Sequence, residues 1–233
     1  MKFNSLALSA AGVALTSSLE ARAETVQGFD ISNYQSGVDF AGAYAAGARF
    51  VMIKSSEGTG YSDPSFSTHY TGATDAGLIR GGYHFALPDS SSAADQVSHF
   101  LSNGGGWSKD GITLPGMLDI EYNPYGATCY GLSASAMVAW IQEFVDEYHS
   151  ATGAYPMIYS TANWWSTCTG DAAGFGDTCP LVLAAYSSSA PSTIPGDWST
   201  YSIWQNSDSY KFGGDSDIFN GSLDQLKKIA NAE

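Results

Sequence analysis

From residue 26 onward, short apolar runs alternate with helix-like stretches, and this alternation limits the fold more than any other feature of the chain. Strand candidates fall at 26–31, 49–54, 78–86, 116–122 and 157–159, with helical patterns at 39–47, 64–76, 92–101 and 133–152 between them. The last of these is the best formed. Met137, Ile141, Phe144, Val145 and Tyr148 recur at helical spacing, and Ser133 stands where an N-cap belongs. Asn163-Trp164-Trp165 opens a long connection bearing Gly, Thr and Cys; strands then dominate at 181–186, 201–206 and within 213–221, and 223–230 closes the chain as a helix. Strand–helix alternation implies a parallel sheet, because parallel neighbours need a crossover. Eight strands in about 210 residues fit one α/β domain, a single irregular TIM-like barrel of the (β/α)5(β)3 type with some helices missing.

Residues 1–23 stand apart from that pattern. Lys2, an apolar and small-residue run over 6–19, and Ala21-Arg22-Ala23 read as a secretory signal peptide with an A-x-A cleavage site, leaving 24–233 as the folded domain. The run is too short and too interrupted for a membrane span, and no other stretch is apolar and long enough. A secreted, extracellular protein with no membrane partner is expected. Nine basic residues against 23 acidic ones give a formal charge of -14, which argues against nucleic acid, since phosphate binding needs a basic footprint. In an oxidising compartment Cys129, Cys168 and Cys179 allow one disulfide and leave one thiol, and spacing does not choose among the three pairings. No His/Cys cluster has zinc spacing, so neither a metal nor another cofactor is expected. Nothing marks an oligomer, and a monomer is expected.

In a parallel barrel the C-terminal strand ends form one mouth, and the acids and aromatics of this chain collect there. Asp30 falls near the end of the first strand, Glu57 after the second, Tyr83 and His84 near the end of the third, and Asp119 and Glu121 at the end of the fourth. Tyr159 and Tyr186 end the next two, Trp204 and Gln205 lie near the end of the seventh, and Asp215 and Asp217 begin or line the last. The stretch 116–122 sets Asp119 and Glu121 on the same face of one strand, roughly 6.5 Å apart along it. Cleaving a glycosidic bond needs one carboxyl group protonated and another ionised, and crowded carboxylates raise the proton affinity of at least one of them. Tyr and Trp supply flat faces for sugar rings. Singly, most of these residues have structural uses: Asp30 as a cap, Glu57 shaping a loop, Asp217 as a solvated neighbour of Asp215, His84 as a hydrogen-bonded barrel residue, Trp164 and Trp165 as loop anchors. His69, His99 and His149 sit in helix patterns and are expected at the surface. The recurrence of acids and aromatics at one mouth is what favours a saccharide cleft.

The motifs and their order resemble the glycoside hydrolase family 25 lysozymes, the Chalaropsis-type N-acetylmuramidases. Gly28-Phe29-Asp30-Ile31-Ser32 comes first, followed by Gly47, then Val51-Met52-Ile53-Lys54-Ser55-Ser56-Glu57-Gly58 with Tyr61 and Asp63. Asp119-Ile120-Glu121 comes second, and Tyr201-Ser202-Ile203-Trp204-Gln205 with Asp215-Ser216-Asp217-Ile218-Phe219-Asn220-Gly221 third. Ser36 departs from the family's usual residue, in a loop. The resemblance implies cleavage, with retention, of the β-1,4 bond between N-acetylmuramic acid and N-acetylglucosamine in bacterial cell-wall peptidoglycan. It implies Glu121 as general acid/base and Asp119 as nucleophile or as orienter of a substrate acetamido group. Asp30 and Asp215 match the other two active-site acids. Tyr83, Tyr159, Tyr186, Trp204, Glu57 and Asp217 are implied as substrate-binding residues, and Cys129 with Cys168 as the bridge. Two alternatives stand beside this reading: a chitinase-like N-acetylhexosaminidase, which also uses D-x-E, and a catalytically inactive saccharide-binding barrel. Chitinases carry a longer run of acids where this chain has Gly116, Met117 and Leu118.

Overall fold

The computed structural model describes residues 24–233, so the signal peptide expected at 1–23 lies outside the described residues. The elements in chain order are β1 (Val26–Ile31), α1 (Phe40–Ala45), β2 (Ala48–Glu57), β3 (Tyr61–Ser62), α2 (Phe66–Asp75), β4 (Ile79–Phe85), α3 (Ala93–Ser102) and β5 (Met117–Asp119). There follow α4 (Ala134–Thr152), β6 (Met157–Ser160), α5 (Ala162–Thr169), β7 (Leu181–Ala184), β8 (Ile203–Ser207), β9 (Asp215–Phe219) and α6 (Leu223–Ala230). Eight strands close into a ring in the order β1, β2, β4, β5, β6, β7, β8, β9 and back to β1. Neighbours are parallel except β9, which runs antiparallel to both β8 and β1. The strand β3 folds back on β2 as a hairpin outside the ring. This is the irregular TIM-like barrel expected from the alternation.

Strand residues face alternately in and out, and closure turns that period into two different cores. The inward set starts apolar: Val26, Phe50, Met52, Ile79, Met117, Met157, Val182, Ile203 and Phe219 pack together inside the ring. The outward set carries the helices. Phe29, Ile31, Val51 and Ile53 pack with Phe40 of α1 and Ala73 of α2, while Leu118, Ile158, Leu181 and Leu183 pack with residues of α3, α4 and α5. The barrel is narrow enough that one strand must yield to a neighbour's ring. A Cβ on Gly28 would sit 2.3 Å from the buried Phe50 ring, so glycine there makes room for phenylalanine.

Three parts of the chain differ from expectation. The segment opened by Asn163-Trp164-Trp165 is not an irregular connection but contains α5, capped by Thr161, which accepts from Trp164 N–H at 3.0 Å, and ended by Gly170 in the left-handed region. Full burial of Trp164, Trp165 and Cys168 stabilises this two-turn helix despite its weak formers. The second strand continues through Ser55 and Ser56, expected in a loop, to Glu57, with a register irregularity between Lys54 and Ser56. The helix histidines are also less exposed than expected. His69 is buried edge-on to Phe40, His99 lies 2.9 Å from the carbonyl of Tyr61, and His149 stacks flat on Tyr155 at 3.9 Å. His84 does sit in a buried network, between Ser56 Oγ and Gln96 Oε1 at 2.9 Å each, and burial lowers its proton affinity to about 4.

No helix among the described residues is long and apolar enough to cross a membrane. The close packing at Gly28 has a measurable consequence. Gly28→Ala is expected to destabilise the fold by about 1–3 kcal/mol, as overpacking does, read as a lowered midpoint in urea or thermal denaturation.

Candidate active site

The apolar inward rows change character at the C-terminal end of the barrel. Continuing each row by two residues replaces Gly28 with Asp30, Met52 with Lys54, Met117 with Asp119, Met157 with Tyr159 and Ile203 with Gln205. Because β9 is antiparallel, its first residue, Asp215, reaches the same level and pairs in register with Asp30. Asp30, Tyr83, Met117, Asp119, Glu121, Tyr159, Gln205 and Asp215 line the resulting floor. Two recesses open from it. One runs past Lys54, Tyr83 and Phe85 to Ser32, Tyr34 and Gln35; the other lies between Tyr122, Tyr159, Thr161, Ala184 and Tyr186. Glu121 borders the floor and both recesses.

Gln205 organises the floor. Its Oε1 accepts from the hydroxyls of Tyr159 at 2.9 Å and Tyr186 at 3.2 Å, and its Nε2 donates to Asp30 Oδ2 at 2.8 Å and Asp215 Oδ2 at 3.2 Å. One amide therefore uses all of its hydrogen-bonding capacity, and the four groups around it fix which way it points. Across the floor, Asp119 is buried and its Oδ1 has no hydrogen-bond partner within the chain.

Burial is the main cause of each carboxyl shift in this site. It pushes Asp30 up to about 7, helped by the charge of Asp215 and opposed by hydrogen bonds from Gln205 and Asp217. It pushes Glu121 up to about 6, with Lys54 pulling the other way and Asp215 adding to the rise. Asp119 is raised well above the usual carboxylate range, first by burial and then by Glu121. Asp215 is raised as well. Such a pair as Asp119 and Glu121 releases its protons jointly, so at mildly acidic pH it retains at least one. Lys54 is the one cation lining the recesses among the described residues, and it is shared: its Nζ lies 2.6 Å from Glu57 Oε2.

The structure brings Asp30, Asp119, Glu121, Asp215, Tyr83, Tyr159 and Tyr186 to this mouth. Asp217 lies one inward step below Asp215, buried opposite Gly28 and Gln205, where burial and then the charge of Asp30 raise its proton affinity well above the usual carboxylate range. Glu57 stands at the edge of the cleft, its carboxylate shared between Lys54 and the hydroxyl of Tyr125. Trp204 faces away from the floor on the opposite side of β8 from Gln205, nearly buried, its indole donating to the carbonyl of Ala185 at 2.7 Å. Cys129 and Cys168 are joined, tying the loop after Glu121 to α5, and Cys179 is a buried free thiol. Two residues of the site were not singled out as binding residues, Lys54 and Gln205. The signal for both was the period of two: Lys54 continues Phe50 and Met52, and Gln205 continues Ile203.

A closed barrel with carboxyl groups of raised proton affinity at its C-terminal mouth carries what the hydrolysis of a glycosidic bond requires. The sequence matches Glycosyl hydrolases family 25 over residues 29–215, and the chain belongs to that family. It is 57% identical to the N,O-diacetylmuramidase of Arthroderma benhamiae over 224 residues, 96% of this chain and 94% of that protein. It is 59% identical to the N,O-diacetylmuramidase of Chalaropsis sp over 209 residues, 88% of this chain and 99% of the other. A family GH25 lysozyme from Aspergillus fumigatus superposes with a TM-score of 0.88 at 70% identity, covering 89% of this chain and 99% of that one.

The raised carboxyl affinities set the sign of the pH dependence of stability. A carboxyl whose folded-state affinity exceeds the unfolded value gives a fold that binds more protons than the unfolded chain, so stability falls as pH rises through that window. For Asp30 the window runs from the ordinary 3.8 to about 7. Calorimetry is expected to show Asp30→Asn melting above the parent at pH 7, with the difference closing near pH 4.

Proposed function

We propose that this chain is a secreted muramidase that hydrolyses the β-1,4 bond between N-acetylmuramic acid and N-acetylglucosamine in bacterial peptidoglycan. The observation that carries the reading is the position of Glu121 at the junction of two recesses with Asp119 beside it. A glycan laid through both recesses has its bridging oxygen at Glu121. Family membership and the muramidase relatives support the same substrate.

In this mechanism Glu121 donates its proton to the leaving oxygen as the bond breaks, then takes a proton from the incoming water. Burial supplies the protonated form by lifting Glu121 to about 6. Asp119, with one oxygen unpartnered, either attacks the anomeric carbon or holds the N–H of the substrate's acetamido group while that group attacks; both routes retain configuration. A substrate N–H against Asp119 favours its ionised form and leaves the pair's proton on Glu121. Asp30 and Asp215, held by Gln205, line the opposite wall, and the charge of Asp215 opposes the loss of that proton. Secretion follows from the leader-like residues 1–23 and suits a polymer that lies outside the cell.

Digestion of purified peptidoglycan, with identification of the new reducing end, tests the reading. Muramic acid at that end is expected; glucosamine, or release from chitin alone, overturns it. Glu121→Gln is expected to lower kcat by at least about 10³-fold while cell-wall binding persists, and kcat/KM of the parent is expected to decline as pH rises past about 6. Gln205→Leu keeps bulk but strips two tyrosines and two aspartates of their common partner. It is expected to lower kcat/KM by about 10²-fold and to raise the proton affinity of Asp30, which loses a donor that favours its ionised form.

A further inference from the structure

The floor of the cleft leaves unexplained the aromatic side chains standing above it. Among the described residues six large hydrophobic side chains are exposed, and four of them, Tyr34, Tyr122, Tyr125 and Tyr186, surround this one mouth. The two most exposed, Tyr34 at 86% and Tyr125 at 72%, stand on the β2 side. Tyr34 lines the outer end of the recess whose inner end is Asp119 and Glu121. Tyr125 reaches the same edge through Glu57, donating its hydroxyl to Oε1 at 2.5 Å, while Lys54 holds Oε2. Lys54 lines the recess with Tyr34 and pairs with the carboxylate that holds Tyr125, so the two rings share one edge of the cleft.

Neither ring hangs on a slack loop. Asn33 N–H donates to Asp63 Oδ2 at 2.9 Å, Tyr34 N–H to Ser32 Oγ at 3.3 Å, and Ser32 N–H to Gln35 Oε1 at 2.9 Å. Tyr125 N–H donates to Asn123 Oδ1 at 2.9 Å, in the loop that the Cys129–Cys168 bridge secures. Two apolar ring faces held open to water by fixed backbone, continuous with a cleft, mark a contact surface. The charged groups beside them, Lys54 and Glu57, are paired with each other, so the complementary occupant is uncharged and flat-faced.

We propose that Tyr34 and Tyr125 form an outer sugar subsite. It binds an N-acetylhexosamine ring of the glycan beyond the two that flank the cleaved bond. The proposal rests on the muramidase reading above, and it makes productive binding depend on chain length. An acidic enzyme, with 23 Asp and Glu against 9 Lys and Arg in the full chain, gains by it a grip on an anionic wall that needs no basic residues.

The test is kcat/KM on tetra-, hexa- and octasaccharides of alternating N-acetylglucosamine and N-acetylmuramic acid. The parent is expected to gain roughly tenfold from the shortest to the longest, and the double variant Tyr34→Ser/Tyr125→Ser to lose most of that gain, chiefly through KM. Tyr125→Phe, which keeps the ring and drops the bond to Glu57, is expected to retain it. Equal chain-length dependence in parent and double variant, no dependence in the parent, or equal damage from Tyr125→Phe and Tyr125→Ser each overturns the subsite. Parent enzyme that cleaves none of the three overturns the muramidase reading instead.

Discussion

Closure of the sheet into a ring is the constraint on which the rest depends. In an open sheet the two-residue period sorts side chains between two similar faces. In a closed one it sorts them between a narrow interior and an outer surface covered by helices. The interior cannot admit water along its apolar length, so a polar inward residue is tolerated only at an end or with a partner. Asp30, Lys54, Asp119, Gln205 and Asp215 all stand at that end. The site is thus the last inward layer of the barrel, and its carboxyl groups inherit raised proton affinity from the apolar layer beneath them.

That layer explains why one amide matters so much. Carboxyl groups crowded at the end of an apolar tube repel one another, and the nearby cation, Lys54, is already bound by Glu57. Gln205 brings two N–H donors to Asp30 and Asp215 without adding a charge. An ammonium there would quench the proton affinities that acid catalysis requires; an apolar side chain would leave four polar groups without their common partner. The amide holds the wall in place while letting the acids keep their protons.

Much of this was legible in the sequence, because the barrel's two main signals are local. Strand–helix alternation marks a parallel sheet, and acids at successive strand ends mark its mouth. What was not legible depends on partners distant in sequence. The α5 segment has weak helix formers and is held by the burial of Trp164 and Trp165. Neighbouring strand residues face opposite ways, so of Trp204 and Gln205 only one can face the floor. The aromatic suggests a sugar platform, yet Ile203, two residues before Gln205, belongs to the interior and carries Gln205 inward with it. Asp217 reads as a surface partner of Asp215 until the ring closes and places it under Asp30.

The antiparallel insertion of β9 bears on how the molecule folds. The ring closes only where β9 lies between β8 and β1, and the hydrogen bond from Gln27 to the carbonyl of Asp217 spans 190 residues. Contacts of such separation carry the largest loop-closure cost and form late. Asp30 comes from one side of this seam, Asp215 from the strand that fills it, and Gln205 from the other side. Without β9 between β8 and β1 the ring has neither a sealed interior nor an assembled acid wall. The seam that completes the fold is also the wall of the catalytic mouth, so the conformations competent to catalyse are those in which the barrel has finished closing.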